Sequence, residues 1–273
     1  MDVLDKIEAN QTGKSLEEVL TDGYQFDFGD YLGKGFTLFG KEAGYLIGFS
    51  LVYFVILIGS SMLLGSIGIP FGDTIFSILV GSALGAGIFA FMNARTSEFD
   101  YSFNNFFDGF KPPFWKNLVL AALIQMVISL VISLLIFIPF IRNNGFDLVM
   151  RLSELENMTD PDDFLEFVDE IMASGIFMYG FIGGLASLII TTMWCLTPIF
   201  ILKRNMGAWQ AMEASRKIVT KKLLHFIALM IVLVILFIIG ALFCGVGLLV
   251  AYPVFCLVVY VAYSHIMEEP IRM

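Results

Sequence analysis

A basic stretch between two apolar segments constrains this chain more than any other feature. From Lys203 to Lys222 the sequence holds six Lys and Arg residues and one acid, Glu213. Long apolar segments lie directly on either side of it. In membrane proteins, loops rich in Lys and Arg stay on the cytoplasmic side and set the orientation of the neighbouring spans. The stretch therefore predicts a polytopic membrane protein with residues 203–222 inside.

The composition supports the same class of protein. Hydrophobic residues make up 58% of the chain, charged residues 15%, and the mean hydropathy is +0.84. Soluble domains typically contain about 45–50% apolar and about 25% charged residues. The net charge of -9 argues against nucleic acid as a partner, because phosphate binding needs a basic surface. Cys195, Cys244 and Cys256 lie in or beside apolar segments, so we expect them to be small packing residues.

Six apolar segments are each long enough for the roughly 20 residues that a spanning helix needs. The turns after the first and fifth segments are short and contain no Lys or Arg, which predicts helical hairpins. The expected fold is all-α: a polytopic domain over 43–267 with six transmembrane helices in three hairpins and interfacial amphipathic helices. The predicted spans are 43–65, 74–92, 117–141, 175–202, 223–242 and 246–267.

The distribution of Lys and Arg predicts the orientation. With the N-terminus inside, the inside segments carry 14 of the 16 Lys and Arg residues, and the outside segments carry only Arg142 and Arg151. This asymmetry predicts that both termini are cytoplasmic. The first 25 residues show no cleavable signal peptide, so we expect the first apolar segment to act as a signal anchor. The inside segments are 1–42, 93–116, 203–222 and 268–273.

The N-terminal segment 1–42 is acidic. Apolar residues at helical spacing over 3–7 and 16–20 predict two short amphipathic helices. Ser15 and Glu18 fit a capping box before the second helix. Because these helices are acidic, they suit a protein partner better than an anionic lipid surface.

The loop 142–174 is the one long segment predicted to lie outside. It holds nine acids and two bases, but its pattern is helical. Pro161 suits the first position of a helix after a polar cap, and apolar residues over 164–171 form a stripe. A second short helix over 146–156 would complete a hairpin lid. This acidic insertion is either a docking surface or cation-attracting vestibule, or a solvated cap on the bundle.

Three lead-in segments share a pattern, in which an amphipathic stretch contains a small residue and a lysine follows six or seven positions later. Aromatic residues favour the headgroup level and lysines extend toward the cytoplasmic face, so we expect each lead-in to lie along the inner interface. The lead-ins are 26–41, 99–116 and 208–222, the small residues are Gly35, Gly109 and Ser215, and the lysines are Lys41, Lys116 and Lys221.

Three short motifs carry a resemblance. They are AMEASRKIVTKKLLHF, GALFCGVGLLVAYPVFCLVVYVAY and FDYSFNNFFDGFKPPFWKNLVLAALI. Each resembles an element of a broad bacterial superfamily of six-span proteins, which includes the membrane domain attached to some glycerophosphoryl diester phosphodiesterases. The resemblance covers most of 26–267 and implies a six-span fold in the bacterial inner membrane, without a defined activity. The insertion 142–174 departs from the superfamily, whose third and fourth spans are usually joined more tightly.

The sequence offers few groups for catalysis. The two histidines, His225 and His265, lie near the predicted inner interface, where we expect them to form hydrogen bonds. Motifs typical of zinc proteases, nucleotide phosphate binding, serine hydrolases and thiol redox chemistry are missing. We therefore expect no enzyme activity, with no catalytic residue, metal site or cofactor. Asp73, at the outer end of the second span, is interpreted either as a helix N-cap or as a polar site there.

Small and polar residues recur at four-residue spacing within the spans. They allow helices to approach closely and to form hydrogen bonds worth about 0.6–2 kcal/mol each. Alternatively, those on the third, fourth and sixth spans line a mildly polar groove for an amphipathic molecule. The candidate groove residues are Gln125, Ser129, Ser133, Ser187, Thr191, Tyr252 and Tyr260.

Two functions fit these patterns. The first is a non-enzymatic scaffold or accessory protein of the bacterial envelope, which contacts membrane lipids and binds another envelope protein through 142–174 or the N-terminus. The alternative is a carrier or binder of a lipid-like molecule in the groove between spans 3, 4 and 6. A carrier predicts that Gln125, Thr191 and Tyr260 face a shared cavity, whereas a scaffold predicts a closed bundle.

Overall fold

The computed structural model describes residues 13–97, 101–142, 150, 161–243 and 245–272. Within these ranges the chain forms helices and no strand. Six of the helical segments are long and apolar enough to cross a membrane, which confirms the all-α polytopic fold. Spans 1 to 6 are Phe28–Ile67, Gly72–Ser97, Phe114–Phe140, Ile176–Arg204, Leu223–Leu242 and Leu248–Ile266.

The N-terminal helix Leu16–Asp22 begins with the predicted capping box. The backbone N–H of Ser15 donates to the Glu18 carboxylate at 2.7 Å, and the N–H of Glu18 donates to the Ser15 hydroxyl at 3.2 Å. The first interfacial lead-in continues into span 1 as one helix, with a departure from helical geometry at Glu42 (φ -116°, ψ 20°). The helix predicted over 3–7 lies outside the described residues.

Spans 2 and 4 are interrupted. The turn within span 4 falls at residues 194–196, and Pro198 lies in the first turn of the part that follows. A proline is tolerated there because the backbone N–H groups of a first helical turn have no intrahelical acceptor. Span 2 consists of Gly72–Phe76, a π-helical turn Ser77–Gly81, Ser82–Gly85 and Gly87–Ser97, and span 4 consists of Ile176–Met193 and Thr197–Arg204.

Shorter helices lie between the spans. The second lead-in forms a 3-10 helix, Phe103–Phe110, instead of a full amphipathic α-helix. The third lead-in forms Ala208–Lys221, called here the basic helix. In the outer loop, the predicted helix is present as Pro161–Ala173, called here the acidic helix, with Pro161 at its first position. The other predicted loop helix, 146–156, lies outside the described residues except for position 150.

The chain divides into two compact units. Unit 1 comprises Met1–Leu123 and Thr192–Met273, and unit 2 comprises Ile124–Thr191. Span 6 is the centre of unit 1: nearly all its side chains from Ala251 onward are buried, and it packs against spans 1 and 5. Within unit 2, the rings of Phe140 and Tyr179 lie 5.5 Å apart between centroids and join the parts of spans 3 and 4 that this unit holds.

Candidate functional site

A cluster of charged and tyrosine side chains lies at the C-terminal end of span 6 in unit 1. The Glu269 carboxylate accepts a hydrogen bond from Arg204 at 2.6 Å and forms a second ion pair with Lys203. The hydroxyl of Tyr263 donates to the same carboxylate at 3.3 Å, and that of Tyr260 accepts from Lys203 at 3.4 Å. Both tyrosines are fully buried. This basal cluster therefore joins the end of span 4 to the tail after span 6 through charge-assisted bonds.

A second buried ion pair joins spans 1 and 2. Arg95 donates to the Glu42 carboxylate at 2.8 Å, and the two side chains are only 9% and 8% exposed. The Tyr101 hydroxyl donates to the same carboxylate at 2.9 Å, and this bond raises the pKa of Tyr101 above its usual value. Arg95 also donates to the backbone carbonyl of Arg272. Each buried charge thus has partners, as a water-poor environment requires.

The N-terminal segment is attached to the same end of unit 1. The backbone N–H of Lys14 donates to the carbonyl of Met267 at 2.8 Å, and its ammonium lies 2.7 Å from the Glu268 carboxylate. That carboxylate raises the pKa of Lys14 above its usual value. The Tyr24 hydroxyl donates to the carbonyl of Ile218 in the basic helix at 2.8 Å. The segment from position 14 onward is therefore part of the folded unit.

A groove of about 920 Å³ lies between the N-terminal segment, the basic helix and the end of span 6. We call it the interfacial groove. The His265 ring at its edge is hydrogen-bonded through Nδ1 to the Tyr31 hydroxyl at 2.8 Å, which confirms the expected role of this histidine. The polar residues that line the groove include Lys14, Lys34, Lys221, Lys222, Ser264 and His265.

Two of the seven candidate groove residues lie in unit 1, where their hydroxyls form hydrogen bonds within the protein. The Tyr252 ring stacks on Tyr53 with 4.5 Å between centroids, and its hydroxyl donates to the carbonyl of Gly85 at 3.2 Å. The Tyr260 hydroxyl lies 3.3 Å from the carbonyl of Met92, besides its contact with Lys203. Their positions fit the packing alternative for these two tyrosines.

The other five candidates lie in unit 2. Gln125 and Ser129 are half-buried, whereas Ser133, Ser187 and Thr191 are exposed. Because the seven residues are divided between the two units, a shared groove between spans 3, 4 and 6 stays a prediction.

Asp73 is exposed at the start of span 2. It lies within the first turn of Gly72–Phe76, and the N-cap residue is Phe71, whose backbone is left-handed with φ 57°. The interpretation of Asp73 as the N-cap was therefore wrong by two positions. The helix starts two positions earlier than the hydropathy pattern indicated, since hydropathy reports the apolar stretch and not the residue at which the backbone becomes helical. A polar site at Asp73 stays a prediction.

The small residues of the three lead-ins all lie where chain segments approach closely. A Cβ on Gly35 would lie 2.5 Å from a Val258 methyl, and one on Gly109 would lie 2.8 Å from the carbonyl oxygen of Ala83. Ser215 is fully buried, donates to the carbonyl of residue 193 at 2.7 Å and accepts from the N–H of residue 196 at 3.3 Å. The lysines that follow, Lys41, Lys116 and Lys221, are exposed. The repeated pattern thus marks packing contacts.

The described ranges bring no three His, Cys, Asp or Glu side chains together in an arrangement that would hold a metal ion. Sequence reasoning missed the ion pairs of Glu42, Arg95 and Glu269. Their charges were visible at the edges of the predicted spans, but hydropathy does not reveal which opposite charge meets which.

No family model matches this chain, and comparison with curated proteins and with solved structures gave no match either. The resemblance to the six-span bacterial superfamily therefore stays a prediction.

Proposed function

We propose that this integral membrane protein is a non-enzymatic scaffold or accessory protein of the bacterial inner membrane, which binds another envelope protein through the acidic helix. In this proposal both termini lie in the cytoplasm and the acidic helix lies outside, as the asymmetry of Lys and Arg predicts. A six-span relationship to the membrane domains named above is part of the same proposal.

The exposed apolar face of the acidic helix supports the proposal most. Leu165 and Met172 are 60% and 64% exposed, and Val168 between them is 36% exposed. Spacings of three and four residues place these three side chains on one face of the helix. Phe167, on another face, is buried. The helix therefore packs one apolar side and leaves a second one open, which is typical of a contact surface.

The net negative charge of the acidic helix favours a protein over a lipid surface. Asp162, Asp163, Glu166, Asp169 and Glu170 all lie on the same short helix. Anionic headgroups repel such a helix, whereas membrane-surface helices carry Lys and Arg on their polar face. A partner with an apolar patch and a basic rim fits the charge and the apolar side chains together.

The basal cluster supports the non-enzymatic part of the proposal. Lys203, Arg204 and Glu269 are joined to one another, and the tyrosine hydroxyls around them are hydrogen-bonded. A general acid or base must be within reach of a proton on the substrate. Groups that are already paired with one another are not placed to exchange a proton with a substrate, which favours a structural role for this cluster.

The test is site-specific photocrosslinking in the native membrane. A photoreactive residue at Leu165 or Met172 should give the same protein adduct, identified by mass spectrometry and confirmed by copurification. The matched control is the same residue at Leu135, which is 66% exposed on span 3 and should contact lipid. The proposal would be contradicted if no protein adduct formed at positions 165 and 172, or if the same protein adduct formed at position 135.

A further inference from the structure

We infer that the interfacial groove binds the phosphate-bearing headgroup of an anionic phospholipid, with Lys221 and Lys222 as its main cationic contacts. This site lies in unit 1 and is independent of the acidic helix. Basic pockets at the cytoplasmic ends of spans are where anionic lipid headgroups bind.

Most charges that line the groove are already neutralised by ion pairs. The Lys14 ammonium lies 2.7 Å from Glu268, and that of Lys34 lies 2.6 Å from Asp30. Glu269 is paired within the basal cluster. These pairs shape the walls of the groove and leave it without a strong local excess of negative charge.

Lys221 and Lys222 differ from the other lysines of the groove. Within the part of the chain that the structure describes, neither forms an ion pair with a carboxylate. Lys221 donates one hydrogen bond to the carbonyl of Leu20, and an ammonium has three N–H donors, so two stay available. Asp22, also in the lining, forms no ion pair within the described ranges, so one carboxylate faces the two lysines. The groove therefore keeps two adjacent positive charges for an anionic ligand.

The surface next to these lysines fits acyl chains. Lys222 immediately precedes span 5, and Leu224, at the start of that span, is 79% exposed. Ile231, Ile235 and Ile238 are 44%, 49% and 56% exposed. With Leu224 they follow a helical spacing of seven, four and three residues, so they form one continuous apolar face. A headgroup on the lysines would place its acyl chains along this face, which favours a lipid over a free phosphate.

Ser264 supplies a second, independent observation. It lines the groove from span 6, its side chain is fully buried, and its hydroxyl has no hydrogen-bond partner among the described residues. A buried polar group without a partner costs free energy, and native proteins rarely keep one. A phosphate or glycerol oxygen of the headgroup would accept a hydrogen bond from this hydroxyl.

The test measures phospholipid binding to the whole purified protein in a neutral detergent by native mass spectrometry. Phosphatidylglycerol should bind with defined stoichiometry, and phosphatidylcholine more weakly. The double variant Lys221→Gln/Lys222→Gln should weaken phosphatidylglycerol binding about 30-fold, since each lysine near an anionic surface contributes about fivefold. The variant Ser264→Ala should weaken it by a smaller factor. The thermal midpoint of each lipid-free variant shows whether it is folded.

The matched control is Lys41→Gln/Lys116→Gln, which removes two exposed lysines outside the groove and should leave binding unchanged. Equal weakening by the control pair would overturn the inference, because it would show nonspecific attraction. Binding unaffected by both Lys221→Gln/Lys222→Gln and Ser264→Ala would overturn it too. If glycerol 3-phosphate displaced the lipid at equal concentration, the ligand would be a soluble phosphate and the lipid assignment would be wrong.

Discussion

At the scale of single residues, the ion pair between Glu42 and Arg95 shows what a buried charge requires of its neighbours. Both side chains are under 10% exposed, so neither charge is well hydrated in the folded state. The attraction between such charges roughly offsets their loss of hydration, and the pair adds little to stability as a pair. Removing one partner is different, because the other charge is then left buried and uncompensated.

We therefore expect Arg95→Met to lower the free energy of unfolding by about 3–5 kcal/mol. The double variant Glu42→Leu/Arg95→Met should recover more than half of this loss, because no buried charge remains. Unfolding in detergent, followed by circular dichroism, measures both. Lys217→Met is the control. The Lys217 ammonium lies 3.6 Å from the Glu213 carboxylate, and both side chains are partly exposed. This substitution should therefore lower the free energy of unfolding by less than about 1 kcal/mol. Losses that simply add in the double variant would contradict this account.

At the scale of helices, close packing of span 1 against span 6 holds the centre of unit 1. Gly35 lies where a Cβ would meet a Val258 methyl at 2.5 Å and the Val258 backbone at 3.3 Å. Gly33, two positions earlier on the same helix, has open space around it. Alanine substitutions at the two glycines therefore distinguish the effect of helix propensity, which both share, from the effect of packing, which applies only at Gly35.

Gly35→Ala should destabilise the protein by about 1–3 kcal/mol, because the added methyl forces the two helices apart. Gly33→Ala should be neutral or stabilising by up to about 1 kcal/mol, since alanine favours the helix over glycine. Thermal unfolding midpoints of the two variants in the same detergent test this. Equal midpoints would show that span 6 adjusts to the methyl without loss of packing.

At the scale of the whole molecule, orientation in the bilayer is the property on which both proposals depend. The acidic helix must face outward to meet an envelope partner, and the interfacial groove must face the cytoplasm. The segments predicted to lie inside hold all but two of the Lys and Arg residues. Because Lys and Arg side chains stay on the cytoplasmic side, this asymmetry predicts one orientation of the six spans in the bilayer.

Cysteine labelling in spheroplasts tests the orientation, in a chain whose three native cysteines are replaced by alanine. Phe71→Cys, in the turn between spans 1 and 2, should react with a membrane-impermeant maleimide in intact spheroplasts, because Phe71 is 81% exposed. Lys217→Cys, on the basic helix, should react only after permeabilisation. The reverse pattern would invert the orientation and remove the basis of both proposals.

Local features of this protein could be predicted from the sequence because each depends on nearby residues. Hydropathy over about 20 residues located the six spans, since a helix must be that long to cross the hydrocarbon. The capping box was recognisable because its bonds connect residues three positions apart, Ser15 and Glu18. The start of the acidic helix was recognisable because proline suits the first position of a helix, here Pro161. The interruptions at residues 77–81 and 194–196 do not show in hydropathy, because an average over about 20 residues reports the length of a span and not its local backbone geometry.

Only the tertiary structure decided which distant residues meet. Arg95 and Glu42 are 53 positions apart, and Arg204 and Glu269 are 65 apart. The interfacial groove likewise combines the N-terminal segment, the end of the basic helix and the tail after span 6. Hydropathy predicts which side chains leave water, and charge predicts which stay at an interface. They do not specify the neighbour of a side chain, because many helix arrangements bury the same apolar surface and differ in which opposite charges meet.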